Sequence, residues 1–169
     1  MSAAATVVML ARTCAPAVDA STTLNLVSVE SNFNPYAIGV VGAVLERQPR
    51  TRAEALATIA VLERDGYNYS VGLAQINRGN FQRLGLTAST ALDGCTNLKA
   101  MEVVLIECFV RARTQFQTTQ RALRAALSCY YSGNFQTGFD HGYVGRVVRA
   151  AHSSRALGTS AEEVAQNEK

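Results

Sequence analysis

Two side chains in this sequence have types and settings suited to chemistry, Glu30 and Gln75. Glu30 follows an apolar stretch in which Leu24 and Val27, and again Leu26 and Val29, lie three residues apart. That spacing reads as the end of a buried helix, which Asn34-Pro35 closes because proline lacks an N–H and disfavours helical geometry in the residue before it. A carboxylate in the last turn of a helix opposes the helix dipole. At the mouth of an apolar segment its proton affinity also rises through desolvation, which is what a general acid needs near neutral pH. On this stretch alone a solvated helix-end glutamate is the commoner outcome. Gln75 lies in Gly72-Leu73-Ala74-Gln75-Ile76-Asn77. Gly72 permits close backbone approach, and the Gln75 amide carries both a donor and an acceptor for ligands bearing hydroxyl and acetamido groups. A plain turn with a buried, satisfied glutamine is an equal reading of the same residues.

The elements that position these groups are helical for the most part. Val7, Leu10, Ala11 and Cys14 follow helical spacing, and Pro16 breaks that first helix. Asp19 or Ser21 can cap the helix leading to Glu30. Ala37–Gly42 is a glycine-punctuated apolar loop or short strand, and Thr51-Arg52-Ala53-Glu54 is a capping-box signature. The helix it opens runs to about Asp65, with Ala53, Leu56, Ala57 and Ala60 expected on its buried face. Tyr67–Val71 alternates like a strand. Leu98, Met101, Leu105, Cys108, Phe109, Ala112 and Phe116 keep helical spacing over about twenty residues, with Asp93-Gly94 as the preceding turn and Asn97 as the expected cap. Thr118 or Thr119 starts another helix bearing Leu123, Ala126, Leu127 and Tyr130, and the short link between the two predicts an antiparallel hairpin. Ser132-Gly133-Asn134 ends it. Val144, Val147, Val148 and Ala151 define a last helix, and from about Ser153 the composition is polar without a periodic stripe.

Composition narrows the function classes. A chain of 169 residues, 48% hydrophobic and 17% charged, is globular and of single-domain size. Its net charge of +3 comes without a basic cluster, which argues against nucleic-acid binding. His141 and His152 sit apart from any cysteine pair with ligand spacing, so neither a metal nor another cofactor is expected. No apolar run approaches the ~20 residues of a membrane span. The run Thr6–Ala11 is not preceded by the Lys or Arg of a signal peptide. It is therefore read as the first helix of a mature protein whose export signal lies outside this sequence.

The four cysteines, Cys14, Cys95, Cys108 and Cys129, form no CxxC. Buried thiols are expected in a reducing compartment and two disulfides in an oxidising one. Cys95 and Cys108 are thirteen residues apart on the long helix, nearly 20 Å at ~1.5 Å per residue, well beyond the ~7 Å limit for bridged Cα atoms. Cys108 and Cys129 lie about equally far either side of the Gln117–Thr119 turn, so the hairpin brings them level. The expected bridges are Cys108–Cys129 and Cys14–Cys95.

Five segments in order carry a family resemblance: Glu30-Ser31 followed by Phe33-Asn34-Pro35; Gly72–Asn77; Asn97-Leu98; Ala126–Asn134; and Tyr143-Val144. Together they resemble the soluble lytic transglycosylases, and more narrowly the specialised lytic transglycosylases of type IV secretion systems, in which a helical insert separates the first two motifs. Ala74 stands where the family has Met, and Tyr131 where it has Asn. The resemblance implies a mainly α, α+β lysozyme-like fold over residues 1–152, a helical bundle whose small irregular β region lines a sugar-binding groove, followed by a polar tail over 153–169. It implies cleavage of the β-1,4 bond between N-acetylmuramic acid and N-acetylglucosamine, with Glu30 as the one catalytic residue and 1,6-anhydro ends as product. Gln75 and Ser70 would hold the sugar, and Ser31 and Asn97 would position the Glu30 loop. Tyr130 would hydrogen-bond Glu30 or the acetamido group, with Tyr131 the alternative beside it. Tyr143 fits core and groove equally. The resemblance further implies a periplasmic protein, expected as a monomer, with peptidoglycan and other secretion-system components as its partners. Two other classes fit the residues. A goose-type lysozyme would need a second carboxylate, with Glu63, Asp65 and Asp93 as candidates. A non-enzymatic assembly factor would bind peptidoglycan or secretion partners without needing Glu30.

Overall fold

The chain forms nine α-helices, one 3₁₀ turn (Arg78–Asn80) and three short strands among the described residues of a computed structural model, which are 1–154. The polar tail expected from Ser153 lies outside them beyond residue 154. Two compact units are present, Met1–Val103 and the part from Val104 onward, and the boundary falls inside a long helix.

In the first unit, α1 (Ala3–Cys14) starts on Ser2, whose hydroxyl accepts from Ala5 N, and stops ahead of Pro16. Helix α2 (Ala20–Ser31) is capped by Asp19, which accepts from the Ser21 and Thr22 amides. The two helices pack together, and Val7 and Ala11 of α1 and Leu26 and Val27 of α2 are buried. After α2 the chain enters β1 (Ile38–Val40), then α3 (Arg52–Arg64), β2 (Tyr69–Val71) and β3 (Ile76–Asn77). The strands form one antiparallel sheet in the order β1-β2-β3, with Ile38 opposite Val71 and Val71 opposite Ile76. Two single-turn helices, α4 (Phe81–Leu84) and α5 (Ala88–Ala91), lead to α6 (Gly94–Arg113).

Helix α3 begins as expected, with Thr51 capping the Glu54 amide. Its buried face is not the expected one. Ala55, Ile59 and Leu62 are covered, whereas Ala53, Ala57 and Ala60 are exposed. The sequence is apolar on several faces here, and the bulkier Ile59 and Leu62 win the core side because they remove more area from water than alanine does. The cap of α6 also differs. Asp93, not Asn97, accepts from the Thr96 amide, and Asn97 lies inside the first turn.

In the second unit, the remainder of α6 meets α7 (Thr119–Ser132) around Ala112, Ala122 and Ala125, with Phe109, Phe116 and Phe135 packed against them. The Phe116 and Phe135 rings meet edge to face at 5.7 Å. Thr118 caps α7 and Gly133 ends it. A short helix not foreseen from the sequence, α8 (Thr137–Asp140), packs on α7. The buried Ser128 hydroxyl joins them, accepting from Gly138 N and donating to Asn134 O, both at 2.9 Å. Residues 143–154 form the last helix, α9, with Tyr143, Val144 and Val147 buried.

Both disulfides have the expected pairing. Cys14–Cys95 fastens α1 to the start of α6 with Cα atoms 5.3 Å apart, and Cys108–Cys129 bridges α6 and α7 at 5.7 Å. Glu102 reinforces the first junction by accepting from the Ala17 amide at 2.6 Å. Replacing Cys108 and Cys129 together by serine should cost about 3 kcal/mol in denaturant unfolding, the figure for a closed loop of this size in the chain-entropy account. Non-reducing peptide mapping checks the pairing itself, and a Cys14–Cys108 or Cys95–Cys129 linkage would refute the hairpin register. No described helix is long and apolar enough to cross a membrane.

Candidate active site

Glu30 sits in the last turn of α2, half-buried. The helix ends abruptly after it. Asn32 and Phe33 both have positive φ, 48° and 65°. For a bulky residue such as Phe33 this left-handed geometry is a genuine outlier, of the kind concentrated at functional sites. Asn34 holds the reversal in place. Its amide N–H bonds Ser31 O, its side-chain oxygen accepts from Tyr36 N at 2.9 Å, and its Nδ2 donates to Pro49 O at 3.1 Å. Ser31 is turned back on its own helix, with its hydroxyl donating to Val27 O.

The second motif forms the connection from β2 to β3. Gly72 has φ +83° and no room for a side chain: a Cβ there would lie 2.3 Å from Asn97 Nδ2. Asn97 is fully buried. Its Oδ1 accepts from Ala74 N at 2.8 Å, and its Nδ2 donates to Val71 O and Ala91 O at 3.0 and 2.7 Å. It therefore clamps the Gly72 turn rather than the Glu30 loop, and its burial keeps it from direct contact with a ligand.

Gln75, itself at φ 51°, uses both hydrogens of its amide on backbone, on Ala37 O at 3.0 Å and Gly72 O at 3.1 Å. Its Oε1 lies over Gly39, where a Cβ would come within 2.7 Å. What this fixed amide can offer a ligand is an acceptor oxygen. Ser70 lies on β2 opposite Asn77 of β3; its hydroxyl accepts from Asn77 Nδ2 at 3.2 Å and can still donate. Ser70, Gln75 and Asn97 are thus brought together on one small scaffold, while Ser31 belongs to α2.

The three carboxylates considered as a second catalytic acid each have another partner. Glu63 accepts from the hydroxyl of buried Tyr69 at 2.7 Å. Burial, with the Glu63 carboxylate beside it, pushes the Tyr69 hydroxyl well above its ordinary pKa. Asp65 pairs with Arg64 at 2.7 Å. Asp93 caps α6, and its hydrogen bond to the Thr96 amide lowers its pKa.

In the second unit, Tyr131 stacks on Tyr143 with centroids 4.7 Å apart, and its hydroxyl meets His141 Nδ1 at 3.1 Å. Tyr143 is 1% exposed and so belongs to the core. Tyr130, next to this stack, is half-buried. Among the described residues no group of three or more His, Cys, Asp or Glu could hold a metal ion.

Sequence reasoning placed Asn34 at the helix end and Asn77 in the second motif without foreseeing their side-chain bonds, and it missed Gln48 altogether. Asn34 alone carried a hint, since Asn before Pro favours a turn.

A mainly helical chain with one small antiparallel sheet, a glutamate at a helix end and a turn-borne glutamine on that sheet falls in the lysozyme-like α+β class. Comparison narrows the class. The family model described as Transglycosylase SLT domain matches residues 8–151, and the chain belongs to that family. It is 48% identical over 149 residues to the type IV secretion system protein virB1 of Brucella suis biovar 1, a stretch covering 85% of this chain and 63% of that protein. It is 40% identical over 145 residues to the protein virB1 of Agrobacterium fabrum, covering 83% of this chain and 57% of that one. The chain thus spans about six tenths of the length of these curated relatives. No solved structure matches it.

Proposed function

We propose that this chain is a peptidoglycan lytic transglycosylase that opens the cell wall locally for a type IV secretion system, working in the periplasm. The observation that carries this reading is Glu30 at the strained end of α2, in a chain matched over residues 8–151 by the Transglycosylase SLT domain family. The two disulfides support an extracytoplasmic location, since such bonds persist in oxidising compartments. The names of the virB1 relatives support the secretion role.

In the proposed reaction Glu30 gives its proton to the glycosidic oxygen as the bond to the anomeric carbon of N-acetylmuramic acid breaks. The substrate's own acetamido oxygen supports the cationic centre. Glu30, now a carboxylate, takes the proton of the muramic 6-hydroxyl as that oxygen bonds to the anomeric carbon. The acid is restored, a 1,6-anhydro end forms, and no water is consumed. Substrate assistance of this kind removes the need for a second carboxylate. The prior engagements of Glu63, Asp65 and Asp93 favour it over the hydrolytic alternative.

Gln75 Oε1 and the Ser70 hydroxyl bind the sugar, and Asn97 holds their scaffold. Tyr130 is assigned a hydrogen bond in the reaction by its place in the family's motif; Tyr131 beside it bonds His141 and stacks on Tyr143. Tyr130→Phe should lower turnover of purified murein by about ten- to a thousandfold, the span for losing one oriented hydrogen bond to a transition state. Tyr131→Phe should leave turnover within about threefold on the same ground, that it bonds nothing in the reaction. The opposite order of damage would move the assignment by one residue, and two silent variants would remove tyrosine from the mechanism.

A further inference from the structure

Strand β1 is an edge strand among the described residues: β2 covers one side, and apart from an isolated bridge between Val40 and Ala43 no described strand pairs with it elsewhere. An edge normally leaves backbone groups unpaired. Here one side chain fills the place of the missing strand. Gln48 Oε1 accepts from Ile38 N at 2.8 Å, and Gln48 Nε2 donates to Ile38 O at 2.9 Å. These are the two bonds a residue of a neighbouring antiparallel strand would make. On the opposite side, the preceding carbonyl, Ala37 O, accepts from Gly72 N at 2.9 Å and from the Gln75 side chain at 3.0 Å. The backbone that Gln48 grips is therefore continuous with the carbonyl that orients the Gln75 amide.

Gln48 is itself held. Its neighbour Pro49 is buried and accepts from Asn34 Nδ2, in the loop that leaves Glu30. On either flank, Arg47 donates to Glu54 at 3.1 and 3.2 Å, and Arg50 N donates to Glu54 Oε2 at 2.8 Å. The first turn of α3 thus braces a short segment that bonds both the exit from α2 and the outer edge of β1.

We propose that Gln48 is a positioning residue for Gln75: its amide substitutes for the absent strand, fixes Ile38, and so holds the Ala37 carbonyl to which the Gln75 amide is bonded. Its mechanistic consequence rests on the reading above, in which Gln75 Oε1 contacts the sugar. Loss of Gln48 releases the edge of β1 and lets the Gln75 amide rotate away from its working orientation. Gln75 then binds and orients less well although nothing that touches the sugar has been changed.

The test is a double-variant cycle, Gln48→Ala, Gln75→Ala and both together, assayed on purified murein. It is run beside NMR spectra of the Gln75 side-chain amide and hydrogen exchange at the Ile38 amide. Gln48→Ala should lower kcat/KM about tenfold, the size of effect that a small misplacement of a working group produces. The double variant should be no worse than Gln75→Ala alone, because two residues acting through one contact are not additive. The Ile38 amide should exchange faster, and the Gln75 amide resonances should shift. A purely structural role predicts instead that the two losses multiply and that the Gln75 resonances stay where they are; either result overturns the proposal. Should Gln48→Ala not fold, Gln48→Glu keeps the acceptor for Ile38 N but lacks the donor for Ile38 O, and the same readouts apply. If the parent protein leaves murein intact, the function reading fails by itself, and the Gln75 resonances still decide whether Gln48 orients that amide.

Discussion

Glu30→Gln is expected to abolish release of soluble fragments from murein while leaving the thermal midpoint within a few degrees of the parent. One group is asked to donate a proton and then to accept one, and each such transfer is worth about 10²–10⁴-fold. The transfers belong to successive steps, so the slower one sets the overall loss, about 10²–10⁴-fold, which leaves little or no clearing. Stability should be spared for a separate reason. The amide has the shape of the protonated acid and carries no charge, so at the end of α2, where a negative charge would oppose the helix dipole, it adds nothing unfavourable. Clearing at the parental rate would remove Glu30 from the mechanism. An unfolded variant would show that the side chain holds the fold instead.

The second large effect is expected at a residue that touches no substrate. Asn97→Ala should destabilise the protein by about 3–5 kcal/mol in denaturant unfolding. The side chain is fully buried and satisfies three backbone groups, Ala74 N, Val71 O and Ala91 O. Each group left unpaired in the interior costs about 1–3 kcal/mol, with partial relaxation reducing the sum. Gly72→Ala should be of similar severity, because it combines a φ of +83° with a Cβ 2.3 Å from the same Asn97 amide. A loss below about 1 kcal/mol for Asn97→Ala would mean that the turn carrying Gln75 holds its shape without the clamp.

How much of this was legible in the sequence follows from what carries each feature. The end of α2, the α6–α7 hairpin and both disulfides depend on helical rise and spacing, which can be counted from residue to residue. The buried face of α3 was misread because alanine recurs all round the segment and gives no single stripe; only Ile59 and Leu62 break the tie. Asn97 resembled a cap because an apolar run begins at Leu98. The helix starts four residues earlier, with Asp93 in the capping role. The four-residue helices α4, α5 and α8 are shorter than any period can reveal.

The site itself divides in the same way. Glu30 and Gln75 stand out by type and setting. The grip of Gln48 on Ile38 and of Asn34 on Pro49 joins residues 10 and 15 positions apart through side-chain amides and leaves no trace in a hydrophobic pattern. Burial assigns Tyr143 to the core, a choice its sequence context left even.

Mass spectrometry of the soluble products released from purified murein separates transglycosylation from hydrolysis. The expected products are muropeptides ending in 1,6-anhydro-N-acetylmuramic acid, with Glu30→Gln releasing none. Reducing ends that take up ¹⁸O from labelled water would contradict it, since they require an activated water and hence a second carboxylate acting beside Glu30.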